Sequence, residues 1–144
     1  YESALCRDTA LFPRMDETLL AIESHGIRWG IVTNKIARFT DPLVRALNLA
    51  ERATCVVSGD TTAHAKPHPA PLLHALRQAG RSAGEAIYVG DDLRDILAGN
   101  AAGMPTIVAE YGYLGEGGSA DDWPASGWIE QPLDLLHWLP QRGD

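Results

Sequence analysis

The chain has 144 residues, 45% of them hydrophobic and 22% charged, with a net charge of −7. That is enough for one domain with a core of ordinary composition, and it carries no Lys/Arg cluster of the kind that neutralises nucleic-acid phosphates. Its two cysteines, Cys6 and Cys55, show neither a zinc spacing nor a disulfide scaffold, and no apolar run nears the about 20 residues that span a bilayer.

Both cysteines therefore read as free thiols in a reducing compartment. With no leader pattern, cytoplasm is the expected location. The sequence opens on Tyr1 rather than Met, so a preceding segment is expected. Residues 1–10 are ambiguous, a linker or the tail of an earlier element, and Pro13 marks the entry to the first clear helix.

Short apolar runs then alternate with segments of helical period. The strand candidates are 27–33 (IRWGIVT), 53–58 (ATCVVS), 86–89 (AIYV, ending on Gly90) and 106–109 (TIVA). Runs this short and apolar on both faces suit buried parallel strands. The helix candidates between them are 16–25, closed by Gly26; 41–49, with Pro42 at its first position; 71–79, closed by Gly80; 92–102, closed by Gly103; and 132–139, stopped by Pro140. The stretch 111–127, rich in Gly, Asp and Ser, reads as a long surface loop. The β-α-β-α rhythm predicts a doubly wound α/β sheet. Right-handed crossovers would bring the strand C-termini to one edge, where such sheets bind ligands.

Chemistry-bearing residues stand at those C-termini. The first strand ends in Thr33-Asn34-Lys35, the second leads through Ser58-Gly59-Asp60 to Lys66-Pro67-His68-Pro69, and the third ends in Gly90-Asp91-Asp92, with Asp95 one helical turn beyond Asp91. A threonine hydroxyl with the backbone N–H groups after it can hold phosphate oxygens. Lysine can neutralise a transferring phosphoryl group. Asp91 and Asp95 share a helix face and offer hard oxygens suited to Mg²⁺. Each residue also has a plainer reading. Thr33 would cap a strand end, and Lys66 would be a solvated loop lysine. Asp92 would be the N-cap of its helix, Asp91 and Asp95 a solvated acidic turn, and Arg94 their partner or a solvent-facing cation. His64 and His68 read as solvated loop histidines, and the four tryptophans as packing.

The order and spacing of these motifs resemble the haloacid dehalogenase (HAD) superfamily. GIVTNK (30–35) resembles its second motif, Lys66 in KPHP its third, and YVGDDLRD (88–95) its fourth. The segments LFP (11–13), SGDT (58–61), AGNAAGMPT (98–106) and EYGYLG (110–115) look like the phosphoglycolate phosphatase group. The resemblance implies a Rossmann-like parallel sheet sandwiched by helices. It implies phosphoryl binding by Thr33 and Asn34, catalytic roles for Thr33 and Lys66, and phosphate contact by Lys66. It assigns Mg²⁺ ligation to Asp91, a supporting or water-mediated role to Asp95, and a lesser one to Asp92. It further implies a phosphatase acting on a small phosphorylated metabolite such as 2-phosphoglycolate through an aspartyl-phosphate. Phosphomutase, phosphonate hydrolase and sugar-phosphate phosphatase chemistries remain open within the family, as does a non-catalytic fragment. A signalling receiver domain fits poorly, because there the acidic pair precedes the Thr and Lys.

One departure matters. The family's first motif, DxDx(T/V), supplies the nucleophile on a central strand, and no DxD occurs in this chain. The core is therefore expected to be incomplete at its N-terminal strand, with residues 1–10 a linker or a remnant of the helical cap and residues 11–144 a partial core. The strands ending at Thr33 and Asp91 would then be left with facing open edges. Three outcomes follow. The missing strand lies elsewhere in a longer protein, another chain supplies it by self-association or strand exchange, or the two edges close on each other. No membrane partner is expected.

Overall fold

The computed structural model describes residues 6–7, 10–11, 15–112 and 120–139. It is an α/β structure whose strands, after a short antiparallel pair at the start, all run parallel to their neighbours. The opening pair is β1 (Cys6–Arg7) with β2 (Ala10–Leu11). Pro13, read as the helix entry, lies outside the described residues, and α1 covers Met15–Ser24. Gly26, at φ 75°, supplies the left-handed turn after it.

Two parallel sheets follow. β3 (Ile31–Val32) pairs with β4 (Val56–Val57), and β5 (Tyr88–Gly90), β6 (Thr106–Ala109) and β7 (Gly127–Ile129) form the second sheet in that order. Among the described residues no strand lies between β3 and β5, and these two do not pair with each other. Of the three expected outcomes, direct closure of these two edges on each other is thus not what the described residues show. Between them is a cavity of about 400 Å³, lined by Ile31, Val32, Tyr88 and Val89 of the two edges and by apolar side chains above and below.

The helices α2 (Ala37–Ala46), α3 (Ala70–Ala79) and α4 (Leu93–Ala101) cover the faces. Alternation along β3 divides the core. Ile31 packs with Met15, Leu19, Val44 and Leu49 on the α1/α2 side, whereas Val32 joins Leu72, Leu76, Ala98 and Met104 on the α3/α4 side. Ile96, Val108 and Ala120 form a third cluster with Trp123 and Trp128 against it. Trp29 packs on the first cluster, and Trp138 is largely exposed.

Helices with local end signals fall where expected. Gly80 takes the left-handed conformation after α3, and Gly103, also at positive φ, follows α4. Three expectations need correction. α2 begins at Ala37 rather than at Asp41, which leaves Pro42 inside the helix. Its start is set from a distance. The Ala37 N–H donates to Asp60 Oδ1 at 2.9 Å, and Thr40 Oγ1 donates to the carbonyls of Lys35 and Ile36. Residues 132–138 form a 3₁₀-helix rather than an α-helix. The long loop is broken by short 3₁₀ turns at 110–112 and 120–122 and ends in β7, which was not expected. Because Asp60 acts as the cap of α2, Asp60→Ala is expected to cost about 1 kcal/mol of stability by urea denaturation.

Among the described residues no helix is long and apolar enough to cross a membrane. Cys55 is a free thiol whose pKa burial pushes up, and the side chain of Cys6 lies outside the described residues.

Candidate active site

The C-terminal ends of β3 and β5 and the long loop after β4 converge on one point. β3 runs into a turn in which the Thr33 N–H donates to Val57 O at 2.9 Å and Thr33 Oγ1 accepts from the Lys35 N–H at 3.1 Å. Thr33 is thus buried and does act as a strand-end cap. Its hydroxyl proton is still able to donate, since a hydroxyl accepting one bond keeps its own donor.

Asn34 joins this turn to the loop carrying Lys66. Its side-chain amide donates to Lys66 O at 3.1 Å, and its Oδ1 accepts from the Lys66 N–H at 2.9 Å. The Asn34 side chain is therefore committed to holding the lysine loop. Gly59 allows the close approach beneath it, because a Cβ there would fall on the Asn34 carbonyl.

Lys66 is not a solvated loop lysine. It is 4% exposed, and its ammonium donates to Asp95 Oδ1, to the Tyr88 hydroxyl at 2.8 Å and to Val32 O at 3.2 Å. Each of these acceptors can take one of the three ammonium protons. The Tyr88 hydroxyl donates in turn to Val32 O at 3.0 Å and lies 3.4 Å from Asp95 Oδ1. Tyr88 was not foreseen as a site residue, since in sequence it reads only as a strand aromatic.

Asp95 is 2% exposed, and both its oxygens are engaged. While Oδ1 takes Lys66, Oδ2 accepts from the N–H groups of Asp91 (3.1 Å) and Asp92 (3.2 Å). It ties the lysine to the start of α4 and holds the turn that presents Asp91. Gly90 makes room for it, because a Cβ there would overlap the Asp95 carboxyl group. Asp92 is the N-cap of α4. Its Oδ1 accepts from the Arg94 N–H at 2.9 Å, and its carboxylate also meets the Arg94 guanidinium.

Asp91 is partly buried with a raised pKa. Burial first, and then the charge of Asp95, push its carboxyl from the ordinary 3.8 to about 7, while Lys66 pulls the other way. Tyr111, another residue the sequence reading passed over, has its phenol pKa raised by burial and by the charge of Asp91. His64 and His68 stay exposed. Their rings stack at 4.4 Å, and His68 Nδ1 accepts from the Ala70 N–H at 3.0 Å.

The geometry thus brings Thr33, Asn34, Lys66, Asp91 and Asp95 to one rim of the two sheets. In it a buried cation and a carboxylate of raised pKa stand side by side. Such a pairing is common where a protein handles charged substrates.

The chain is similar to known proteins in sequence and in fold. The chain is 42% identical to a phosphoglycolate phosphatase of Xanthomonas campestris pv. campestris over 97% of its own length and 62% of the relative's. It is 36% identical to an N-acetylmuramic acid 6-phosphate phosphatase of Pseudomonas putida, over 94% of this chain and 60% of that one. It therefore spans less than two thirds of the length of these curated relatives. Among solved structures, a HAD-superfamily hydrolase of Geobacter sulfurreducens superposes with a TM-score of 0.77 at 25% identity, covering 91% of this chain and 57% of that one. A HAD phosphatase from Thermococcus onnurineus shares the fold at a TM-score of 0.81 and 24% identity, covering 92% and 60%. The haloacid dehalogenase-like hydrolase family model matches residues 1–109, three quarters of the sequence, and the chain belongs to that family.

Proposed function

We propose that this chain forms the larger part of the catalytic core of a phosphatase that hydrolyses a small phosphorylated metabolite, with 2-phosphoglycolate the leading candidate. The observation that carries this reading is the buried Lys66–Asp95 pair set beside Asp91 at the strand C-termini. The names of the relatives support the reaction class, and the Pseudomonas relative makes a sugar phosphate the second candidate substrate.

The geometry supports the following roles. The Thr33 hydroxyl donates to a phosphoryl oxygen. The Lys66 ammonium, held in place by Asp95 and Tyr88, offsets negative charge that builds on the phosphoryl group during transfer. Asn34 keeps Lys66 in register through its backbone rather than through its charge. The nucleophilic carboxylate, which would form an aspartyl-phosphate, is assigned to a segment outside this chain.

The residues fit a hard divalent cation in part. Asp91 offers a carboxylate whose charge is disfavoured by burial and by Asp95, a state that a bound cation relieves. Among the described residues no group of three or more acidic, His or Cys side chains converges, so water and phosphate oxygens would complete the shell, as Mg²⁺ prefers. Asp95 would then act by positioning or through water. Asp92, turned to Arg94, is the weaker candidate. When bound, Mg²⁺ would polarise a phosphoryl oxygen.

Hydrolysis of p-nitrophenyl phosphate tests the reading. The isolated chain is expected to give no turnover with or without Mg²⁺. A longer protein that adds a DxD-bearing segment to it is expected to give Mg²⁺-dependent turnover. Clear hydrolysis by the isolated chain would place the nucleophile within these 144 residues and overturn the assignment. An inactive longer protein would favour a non-catalytic role.

A further inference from the structure

The loop that carries Lys66 inward leaves two histidines outside. His64 and His68 are both exposed, and their rings stack with centroids 4.4 Å apart and an interplanar angle of 24°. His64 is held through its backbone, because the Thr62 hydroxyl donates to its carbonyl at 2.6 Å. The His68 N–H donates to Ala65 O at 3.0 Å and closes a turn around Lys66. Nothing in the proposed phosphatase chemistry uses either ring.

His68 completes the start of α3. A helix leaves its first N–H groups without partners of the ordinary helical kind. Here the N–H groups of Leu72 and Leu73 both donate to Pro69 O at 3.0 Å, and Pro71 has no N–H to place. That leaves Ala70, whose N–H donates to His68 Nδ1 at 3.0 Å. Pro69, at the N-cap, makes no side-chain capping bond. Accepting at Nδ1 requires a neutral ring with its proton on Nε2. At Lys66 the same loop is held differently, by two hydrogen bonds between its backbone and the Asn34 amide, a group without a titratable proton. The loop thus has a hold at Lys66 that ignores pH and a hold at its exit that depends on the charge of a histidine.

We infer that His68 is an acid-released clasp at the exit of the Lys66 loop, which ties the loop to the first turn of α3 when neutral and frees it when protonated at Nδ1. Protonation turns the accepting nitrogen into a second donor that faces the Ala70 N–H. Two further effects have the same sign. A cation at this point meets the positive end of the α3 dipole, and a charged His64 would lie stacked against it. Among the described residues no carboxylate forms an ion pair with either ring. The other charged groups of this region are turned elsewhere: the Lys66 ammonium inward to Asp95 and Tyr88, and Asp60 to the Ala37 N–H. His74, one helical turn beyond Ala70, is the remaining titratable side chain at this end of α3. The clasp rests on the loop geometry and not on the phosphatase reading, so either can fail without the other.

The test reads amide hydrogen exchange by NMR across the whole chain between about pH 5 and 8, the range over which histidines change charge, in the wild type, His68→Asn and His68→Ala. Asparagine keeps an acceptor for the N–H two residues on and does not titrate, whereas alanine offers none. After correction for intrinsic exchange, the wild-type Ala70 amide is expected to exchange about fivefold faster at the acid end, as for the loss of one capping bond. His68→Ala should show the faster rate at every pH and His68→Asn the slower one. The Lys66 amide, held by Asn34, should keep its rate in all three proteins. A wild-type Ala70 rate that ignores pH, or an unchanged rate in His68→Ala, would overturn the clasp. So would an equal pH response in His68→Asn, which would trace to His64 or His74, and so would loosening of Lys66 together with Ala70, which would mean that the whole loop melts.

Discussion

Lys66→Ala is expected to destabilise the chain by about 3–5 kcal/mol, measured by urea denaturation near neutral pH. The ammonium is almost wholly buried and donates to Asp95, Tyr88 and Val32. Its removal strands the Asp95 carboxylate at 2% exposure without its counter-ion. A buried charge that loses its partner costs far more than the pair contributed. Lys66→Ala combined with Asp95→Asn should therefore be less damaging than the sum of the two single changes, because the second removes the charge left behind by the first. A loss below about 1 kcal/mol, typical of an exposed ion pair, would mean that the lysine reaches solvent and that the site geometry is wrong.

Asp91→Asn is expected to act in the opposite direction. A carboxyl group whose folded pKa is raised stabilises the fold fully below its unfolded value of 3.8, and that contribution is lost as pH rises through about 7. Above that range the native state holds a charge that burial and Asp95 both disfavour. With allowance for the partial exposure of Asp91, neutralising it should gain on the order of 3 kcal/mol at pH 8 in the absence of divalent cations. The gain should shrink below pH 7 and vanish near pH 4. Mg²⁺ should reverse the picture. It should raise the melting temperature of the wild-type chain at pH 8 by binding the ionised form, have less effect at pH 5, and leave Asp91→Asn unmoved. Equal stabilisation of both proteins by Mg²⁺ would remove Asp91 from the metal site.

These two residues also show where sequence reading reaches its limit. Lys66 and Asp91 stand out by motif and by their positions after predicted strands. The sign of their stability effects depends on burial and on partners 29 and 4 residues away. The plain reading of Asp92 as an N-cap was correct, because a cap is a contact within one helical turn. The plain reading of Lys66 failed, because nothing near it in sequence reveals Tyr88 and Asp95 closing around it. Tyr88 and Tyr111 escaped notice for the same reason. An aromatic in a strand or loop reads as packing until the fold shows what its hydroxyl meets.

The secondary structure divides along the same line. α3 and α4 were legible because proline, aspartate and glycine mark their ends locally. α2 was misjudged at its start because its cap, Asp60, comes from the loop after β4. β7 carried too few residues for a periodic signal.

By itself, then, the sequence determined whatever depends on near neighbours: the α/β rhythm, most helix ends, the family motifs, and the absence of a DxD pair. Tertiary structure alone decided that β3 and β5 stand apart across a cavity, that Asn34 spends its side chain on the backbone of Lys66, and that Asp95 binds a lysine rather than facing solvent. The reason is physical. Caps and turns are set by atoms a few residues apart, whereas the charge state and partners of a buried group depend on which distant segments remove it from water.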